Sequence, residues 1–175
     1  MITSGPKEWN NRLKHPAFWL ATCFGVGLLR PAPGTLCSVL TALAVWFLLE
    51  NTNIVFVHGL IIGFCCLFYG LGMWSATIWG RNTKDHDHSS IVIDEFLGML
   101  LALYPLLILW ESLENKALYI LLAFVLFRFF DILKPYPISW LDQNVKGAFG
   151  VMIDDIVAGI FSAILVYISI YYNVL

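Results

Sequence analysis

Long apolar runs separated by short polar segments dominate the chain. The runs cover residues 17–29, 36–49, 54–79, 96–110, 117–133 and 151–172. A helix that crosses the hydrocarbon core of a bilayer needs about 20 predominantly apolar residues. The run at 54–79 exceeds that length, the run at 36–49 is short for a span, and the run at 17–29 is too short. The pattern therefore predicts about four to five transmembrane helices, preceded by a short interfacial or re-entrant helix.

Prolines, glycines and small polar residues mark the expected helix boundaries. Thr35 is an expected N-cap for the helix that begins at residue 36. Pro135 disfavours helix at the preceding residue, so the fourth span should end near Lys134. Residues 136–150 are expected to form a loop. Gly59 and Gly63, four residues apart, suggest close helix packing in the second span.

The composition agrees with a membrane protein. Of 175 residues, 59% are hydrophobic and only 13% are charged, and the mean hydropathy is +0.78. A soluble domain has about a quarter of its residues charged. We therefore expect an all-α integral membrane bundle, with a polar segment at 1–16 and one membrane-embedded domain at 17–175. There is no basic excess, so no nucleic-acid partner is expected.

The distribution of Lys and Arg predicts the orientation in the membrane. Short cytoplasmic loops are enriched in these residues. If five spans alternate, the N-terminus and the loops at 80–95 and 134–150 share one side, and the opposite side holds only Lys116. The remaining basic residues lie on the shared side: Lys7, Arg12, Lys14, Arg30, Arg81, Lys84, Arg128, Lys134 and Lys146. The bias therefore predicts a cytoplasmic N-terminus.

Acidic pairs occur at two positions on this same predicted side. On a helix Asp154 lies above Ala158 and Ser162, and Asp155 lies above Gly159 and Ala163. Asp94 likewise lies above Gly98 and Ala102. Small-residue faces pack against neighbouring helices in membranes, so these carboxylates should point into the bundle. Oxygen ligands suit Mg²⁺, which commonly pairs with phosphates. The expected metal ligands are Asp94, Glu95, Asp131, Asp154 and Asp155. The alternative for each pair is a helix N-terminus, where acids favour the macrodipole.

Basic and hydroxyl side chains could bind a phosphate beside these acids. Arg128 and Lys134 follow one stripe at the end of the fourth span, and they suit phosphate oxygens. Arg128 could instead form only an intrahelical pair with Asp131. Thr35 and Ser38 lie at a helix start, where backbone N–H groups can bind an anion such as phosphate. The alternative is that these hydroxyl side chains only cap the helix.

The loop before the third span carries His86, Asp87 and His88. Histidines titrate near neutral pH and also ligate metals, so these residues could bind metal or handle protons. They could equally be solvated loop residues.

Four segments together resemble the phosphatidylglycerophosphatase A family of bacterial membranes. They are Pro33–Ser38, His86–Phe96, Phe127–Ile138 and Gly150–Gly159. The resemblance implies a Mg²⁺-dependent phosphatase in the bacterial cytoplasmic membrane, with its active site facing the cytoplasm. It would remove the terminal phosphate of the phospholipid phosphatidylglycerophosphate, giving phosphatidylglycerol and inorganic phosphate.

As a mechanism we expect the five acids named above to hold Mg²⁺ and the two basic residues to hold phosphate oxygens. Gly34, through its backbone, and the hydroxyls of Thr35 and Ser38 would add hydrogen bonds. His86, Asp87 or His88 would handle protons. The nucleophile is either a metal-activated water or a carboxylate, with Asp94 and Asp154 as the candidates.

Two other functions use similar residues. A phosphotransferase that joins a CDP-lipid to an alcohol also uses clustered aspartates and Mg²⁺, but its long single-segment motif is absent from the chain. A divalent-cation transporter or channel would need polar groups through the membrane midplane. A structural subunit whose charges only set topology would leave the inward-facing acids unexplained.

Overall fold

The computed structural model describes residues 14–82 and 90–174, and within these ranges every regular element is helical. The α-helices are α1 (Pro16–Ala21), α2 (Pro33–Asn51), α3 (Ile54–Asn82), α4 (Ile93–Leu109), α5 (Lys116–Leu133), α6 (Ile138–Asn144) and α7 (Gly147–Tyr171). Short 3₁₀ turns lie at Val26–Leu28 and Trp110–Ser112. The predicted all-α bundle is confirmed.

Four of the segments are long and apolar enough to cross a membrane. They are Pro33–Asn51, Ile54–Ile78, Ile93–Ser112 and Gly147–Tyr171. Helix α5 has 18 residues but carries Lys116, Arg128 and Asp131 within that length. The predicted number of spans, about four to five, therefore agrees with the structure.

Helices α4 and α7 cross at two glycines in the centre of the bundle. A Cβ atom built on Gly98 would lie 2.7 Å from the carbonyl oxygen of Asp155, and one built on Gly159 would overlap the carbonyl oxygen of Gly98. Only glycine allows backbones to approach this closely, as at other membrane helix crossings. Because Asp94 and Asp155 each lie one turn before these glycines, the crossing brings the two carboxylates together.

Charged side chains lie at both ends of the bundle, and the core between them is apolar. Helices α2 and α4 begin at the same end, since Glu95 packs against Gly34 there. At the opposite end Lys116 lies 3.8 Å from Glu50 and stacks over Trp110. Between the ends the core is apolar, built on fully buried side chains such as Leu103, Leu106, Leu107 and Tyr119.

Several predicted boundaries were wrong. Helix α2 begins at Pro33 with Ala32 as its N-cap, so Thr35 lies within the first turn and is not the cap. Proline is favoured at this position because its φ suits a helix and its missing N–H would have no partner. The predicted loop at 136–150 contains α6, and α7 begins four residues before its apolar run. Hydropathy misses such turns because helices continue beyond their apolar stretch.

Two further expectations also differ from the structure. The segment 17–29 is α1 followed by a tight turn and a 3₁₀ turn, because Cys23, Phe24 and Gly25 adopt left-handed backbone conformations that end the helix. The close packing expected at Gly59 and Gly63 is wrong for the described residues, since a Cβ on either glycine would meet no atom within 4 Å.

Candidate active site

Three carboxylates converge at the crossing of α4 and α7. One ligand oxygen from each of Asp94, Glu95 and Asp155 lies within 4.8 Å of the other two. Asp94 and Asp155 are 8% and 4% exposed, so water screens their charges poorly. Such a group of buried like charges is stable only with a proton or a cation among them. Carboxylate oxygens at this spacing fit a hard divalent cation such as Mg²⁺. We call Asp94, Glu95 and Asp155 the carboxylate triad.

Glu95 is placed by the first turn of α2. A Cβ on Gly34 would overlap Oε1 of Glu95 and lie 2.8 Å from its Cδ, so only glycine leaves room for this carboxylate. The backbone N–H of Glu95 donates to Asp94 Oδ1 at 3.0 Å. Among the described residues, the buried Glu95 Oε2 has no hydrogen-bond partner. A buried oxygen without a partner indicates a ligand that the described residues do not supply.

Arg128 and Asp131 lie beside the triad at the end of α5. Arg128 Nη1 is 2.6 Å from Asp131 Oδ2, and both side chains are largely buried. The intrahelical pair expected from their spacing is therefore present. Asp131 also contacts the carboxyl group of Asp155, which places it at the edge of the triad. Within the described part of the chain, Arg128 Nε is buried without a hydrogen-bond partner, so the guanidinium retains a free donor.

Lys134 joins α5 to α6 and α7. It ends α5 in a left-handed conformation (φ +43°), and its Nζ lies 2.5 Å from Asp154 Oδ2 and 2.6 Å from Asp142 Oδ1. Partial burial lowers the pKa of Lys134, but the carboxylates of Asp142 and Asp154 outweigh burial and raise the pKa above its ordinary value. The ammonium therefore stays protonated. Sequence reasoning missed Asp142, and its only signal was an acid within the polar loop after Lys134.

Asp154 is turned away from the carboxylate triad. Its Oδ2 is bound by Lys134, and the triad comprises Asp155 with the two acids of α4. The structure therefore groups three of the five predicted metal ligands closely, places Asp131 at their edge, and gives Asp154 a cation from the chain itself. Its second oxygen, Oδ1, is buried without a partner in the described residues.

The alternative explanation, that the acids lie where the helix macrodipole favours them, fits only one of the two acidic pairs. Asp94 and Glu95 do lie in the first turn of α4, where the macrodipole favours acids. Asp154 and Asp155 lie about two turns into α7, and the first turn of that helix holds no acid. The dipole therefore does not account for the pair on α7.

The remaining predicted residues differ in what the structure shows of them. Ser38 is fully buried and donates its hydroxyl to the carbonyl oxygen of Gly34 at 2.9 Å, so its hydroxyl proton serves the helix itself. Thr35, partly exposed, lies in the first turn of α2 near the triad. His86, Asp87 and His88 lie outside the described residues, and their roles stay predictions.

The chain is similar to known proteins over most of its length. A sequence model of the family described as phosphatidylglycerophosphatase A matches residues 19–170. The chain is 39% identical over 163 residues to phosphatidylglycerophosphatase A of Haemophilus influenzae, covering 90% of this chain and 94% of the relative. It is 38% identical over 157 residues to the Escherichia coli protein of the same name, covering 89% and 84%.

A third relative carries a different substrate in its name. A Bacteroides thetaiotaomicron protein, provisionally named phosphatidylinositol-3-phosphatase, is 34% identical over 167 residues, covering 90% of this chain and 97% of the relative. No solved structure matches the chain.

Proposed function

Because the chain belongs to the phosphatidylglycerophosphatase A family and is a phosphatase, we propose that it removes the terminal phosphate of phosphatidylglycerophosphate. The products would be phosphatidylglycerol and inorganic phosphate. The names of two relatives support this substrate, and the name of the third also describes a phosphate on a phospholipid head group. Family membership also argues against the transporter and phosphotransferase alternatives.

The carboxylate triad at one end of the membrane helices is the observation that carries the proposal. Asp94, Glu95 and Asp155 would hold Mg²⁺, since their oxygens are close together, buried, and in part without a partner. When bound, Mg²⁺ would neutralise phosphate charge and could lower the pKa of a bound water. Asp131, at the edge of the triad, would act as a further ligand or through water.

Arg128 supplies the positive charge for the phosphate. Its buried Nε has no partner in the described chain, so it can donate to a phosphate oxygen while Nη1 stays with Asp131. A guanidinium holds a phosphate group through paired donors and stabilises the charge that develops during transfer. Lys134, already bound by two carboxylates, holds Asp154 and α6 in place, and only the third of its N–H donors is left for a phosphate oxygen.

The attacking group is either water or a carboxylate, as the sequence left open. Asp94 is the better placed of the two carboxylate candidates, because Asp154 is bound by Lys134. Acid quenching with labelled substrate distinguishes the two routes, since an acid-stable phosphoenzyme forms only when a carboxylate attacks. His86, Asp87 and His88 are proposed to protonate the departing alkoxide.

We propose that the site faces the cytoplasm of a bacterial cell, in its cytoplasmic membrane. Among described residues at the site end, Arg128 and Lys134 neighbour the triad, whereas Lys116 lies at the opposite end with Glu50. Basic residues favour the cytoplasmic side of short loops. This orientation would present the site to the head groups of the inner leaflet.

The test is phosphate release from phosphatidylglycerophosphate by the purified protein in detergent, with Mg²⁺ added or removed by a chelator. Asp94→Asn should abolish release, and Glu50→Gln, an acid at the opposite end, should retain it. Phosphatidylinositol 3-phosphate, assayed in parallel, measures the choice of head group. If folded protein releases no phosphate from phosphatidylglycerophosphate at any Mg²⁺ concentration, the proposed substrate is wrong.

A further inference from the structure

Two cysteines meet at Val92, the residue that precedes α4. Cys37 Sγ donates to the carbonyl oxygen of Val92 at 3.3 Å, and Cys23 Sγ donates to the same oxygen at 3.6 Å. Because both sulphurs lie against one atom, they are neighbours, and the two thiols contact each other. Both are free thiols in the structure. They come from separate segments, the turn after α1 and the first turns of α2.

The turn that carries Cys23 holds an unusual backbone. Cys23, Phe24 and Gly25 all have positive φ angles, of +43°, +57° and +96°. For residues other than glycine this region is unfavourable, and it persists where surrounding contacts impose it. Such contacts are present, since the hydroxyl of Thr22 accepts from Gly25 N at 3.1 Å and Val92 N donates to Ala21 O at 2.9 Å. The chain therefore holds the Cys23 thiol against Val92 despite backbone strain.

The two thiols differ in exposure. Cys37 is 3% exposed, whereas Cys23 is partly exposed and is the thiol that a small oxidant reaches first. We propose that Cys23 and Cys37 form a modification site, a dithiol that a peroxide converts reversibly into a disulfide. Peroxide oxidises Cys23 to a sulfenic acid and releases one water. The Cys37 sulphur then attacks the Cys23 sulphur, the S–O bond breaks, and the Cys37 proton leaves with the hydroxyl group as a second water while the S–S bond forms. Two thiols thus lose two protons and two electrons, and one peroxide becomes two waters.

The disulfide would act on α4 through Val92, the N-cap of that helix. The carbonyl of Val92 also accepts from Phe96 N at 3.1 Å, so it closes the first turn of α4, which carries Asp94 and Glu95. Oxidation removes both S–H donors from this carbonyl. It also links the turn after α1 to α2 one helical turn from Gly34, against which Glu95 packs. We therefore expect oxidised protein to lose phosphatase activity several-fold and to recover it on reduction.

The first arm of the experiment detects the bond itself. The full-length protein in detergent is treated with hydrogen peroxide, its remaining thiols are alkylated, and its peptides are mapped by mass spectrometry. We expect a Cys23–Cys37 linked peptide that dithiothreitol removes, in the natural chain and in a Cys65→Ser/Cys66→Ser control. Oxidation of the exposed Cys66 without any Cys23–Cys37 link would overturn the proposal. This arm needs no activity, so it is independent of the proposed substrate.

The second arm tests the coupling to the site. Phosphate release is measured before oxidation, after oxidation and after reduction, for the natural chain and for Cys23→Ser. The reversible loss should occur only in the natural chain, and the serine variant should keep its initial rate throughout. A quantitative link with unchanged release would show that the dithiol is not coupled to the site. Absence of release before oxidation would instead count against the proposed function, while the mapping result would stand.

Discussion

Lys134 Nζ lies 2.5 Å from Asp154 Oδ2 and so joins the end of α5 to α7 beside the carboxylate triad. The next residue, Asp155, belongs to the triad, with Asp94 and Glu95. Successive residues on a helix point about 100° apart, which allows one acid to be neutralised by the chain and its neighbour to be left for a ligand. The two aspartates of one motif therefore have different surroundings.

Because Lys134 and Asp154 are paired, the stability lost on replacing Lys134 should depend on whether Asp154 is present. Lys134→Met leaves a largely buried carboxylate without its cation, and we expect a loss of about 1–3 kcal/mol, less than for a fully buried pair because Lys134 is partly exposed. The double variant Lys134→Met/Asp154→Asn should recover much of that loss. Thermal unfolding in detergent measures the cycle. Additive losses from the two single variants would show that the pair is not coupled.

Asp142 offers a matched control for that measurement, since it binds the same lysine from an exposed position. Its side chain is 45% exposed, compared with 7% for Asp154. Exposed ion pairs contribute about 0–1 kcal/mol, so Asp142→Asn should change stability far less than Lys134→Met. An equal loss would mean that Lys134 acts mainly by holding α6.

The carboxylate triad should respond to divalent cations in a way that does not depend on turnover. A cation that binds only the folded state stabilises it, by about 2.7 kcal/mol at a hundred times its dissociation constant. We expect Mg²⁺ to raise the unfolding temperature of the natural chain and to have little effect on Asp155→Asn. In chelator the variant should unfold at a higher temperature than the natural chain, because one of three crowded acids is gone. Equal Mg²⁺ responses in the two proteins would argue against the proposed ligands.

A side chain at Gly34 should displace Glu95, because the Glu95 carboxylate occupies that space. Gly34→Ala forces this carboxylate to move, and because the carboxylate is the far end of a flexible side chain, we expect little loss of stability but a large fall in phosphate release. Gly63→Ala is the matched control, since its Cβ would meet nothing within 4 Å and alanine is the better helix former. Unchanged activity in Gly34→Ala would show that the position of Glu95 is not critical.

Arg128 should be needed as a planar fork and not only as a positive charge. Arg128→Lys keeps the charge but loses the paired donors, and we expect kcat/KM to fall about 10–100-fold with the fold intact. Lys146→Ala, which removes an exposed basic residue from the loop before α7, should leave kcat/KM nearly unchanged. Steady-state kinetics on phosphatidylglycerophosphate and circular dichroism measure both quantities. Full activity in Arg128→Lys would exclude bidentate phosphate binding.

The sequence by itself determined that the chain is a helical membrane bundle and which acids are candidates for its site. Apolar runs of this length must satisfy their backbone hydrogen bonds internally in lipid, so they form helices whatever their neighbours. The spacing of Asp94 from Gly98 and of Asp155 from Gly159 likewise predicted inward-facing acids, and both glycines do lie at the crossing.

Only the tertiary structure decided which of these groups meet. Asp154 and Asp155 are neighbouring residues of the same type. The rotation of α7 relative to α4 and α5 places Asp154 against Lys134 and Asp155 in the triad. The position of Asp142 likewise depends on the short helix α6, and the contact between Cys23 and Cys37 depends on the turn after α1. Hydropathy predicts neither of these elements. Side-chain partners are set by the rotation and approach of packed helices, and those quantities leave little trace in local sequence patterns.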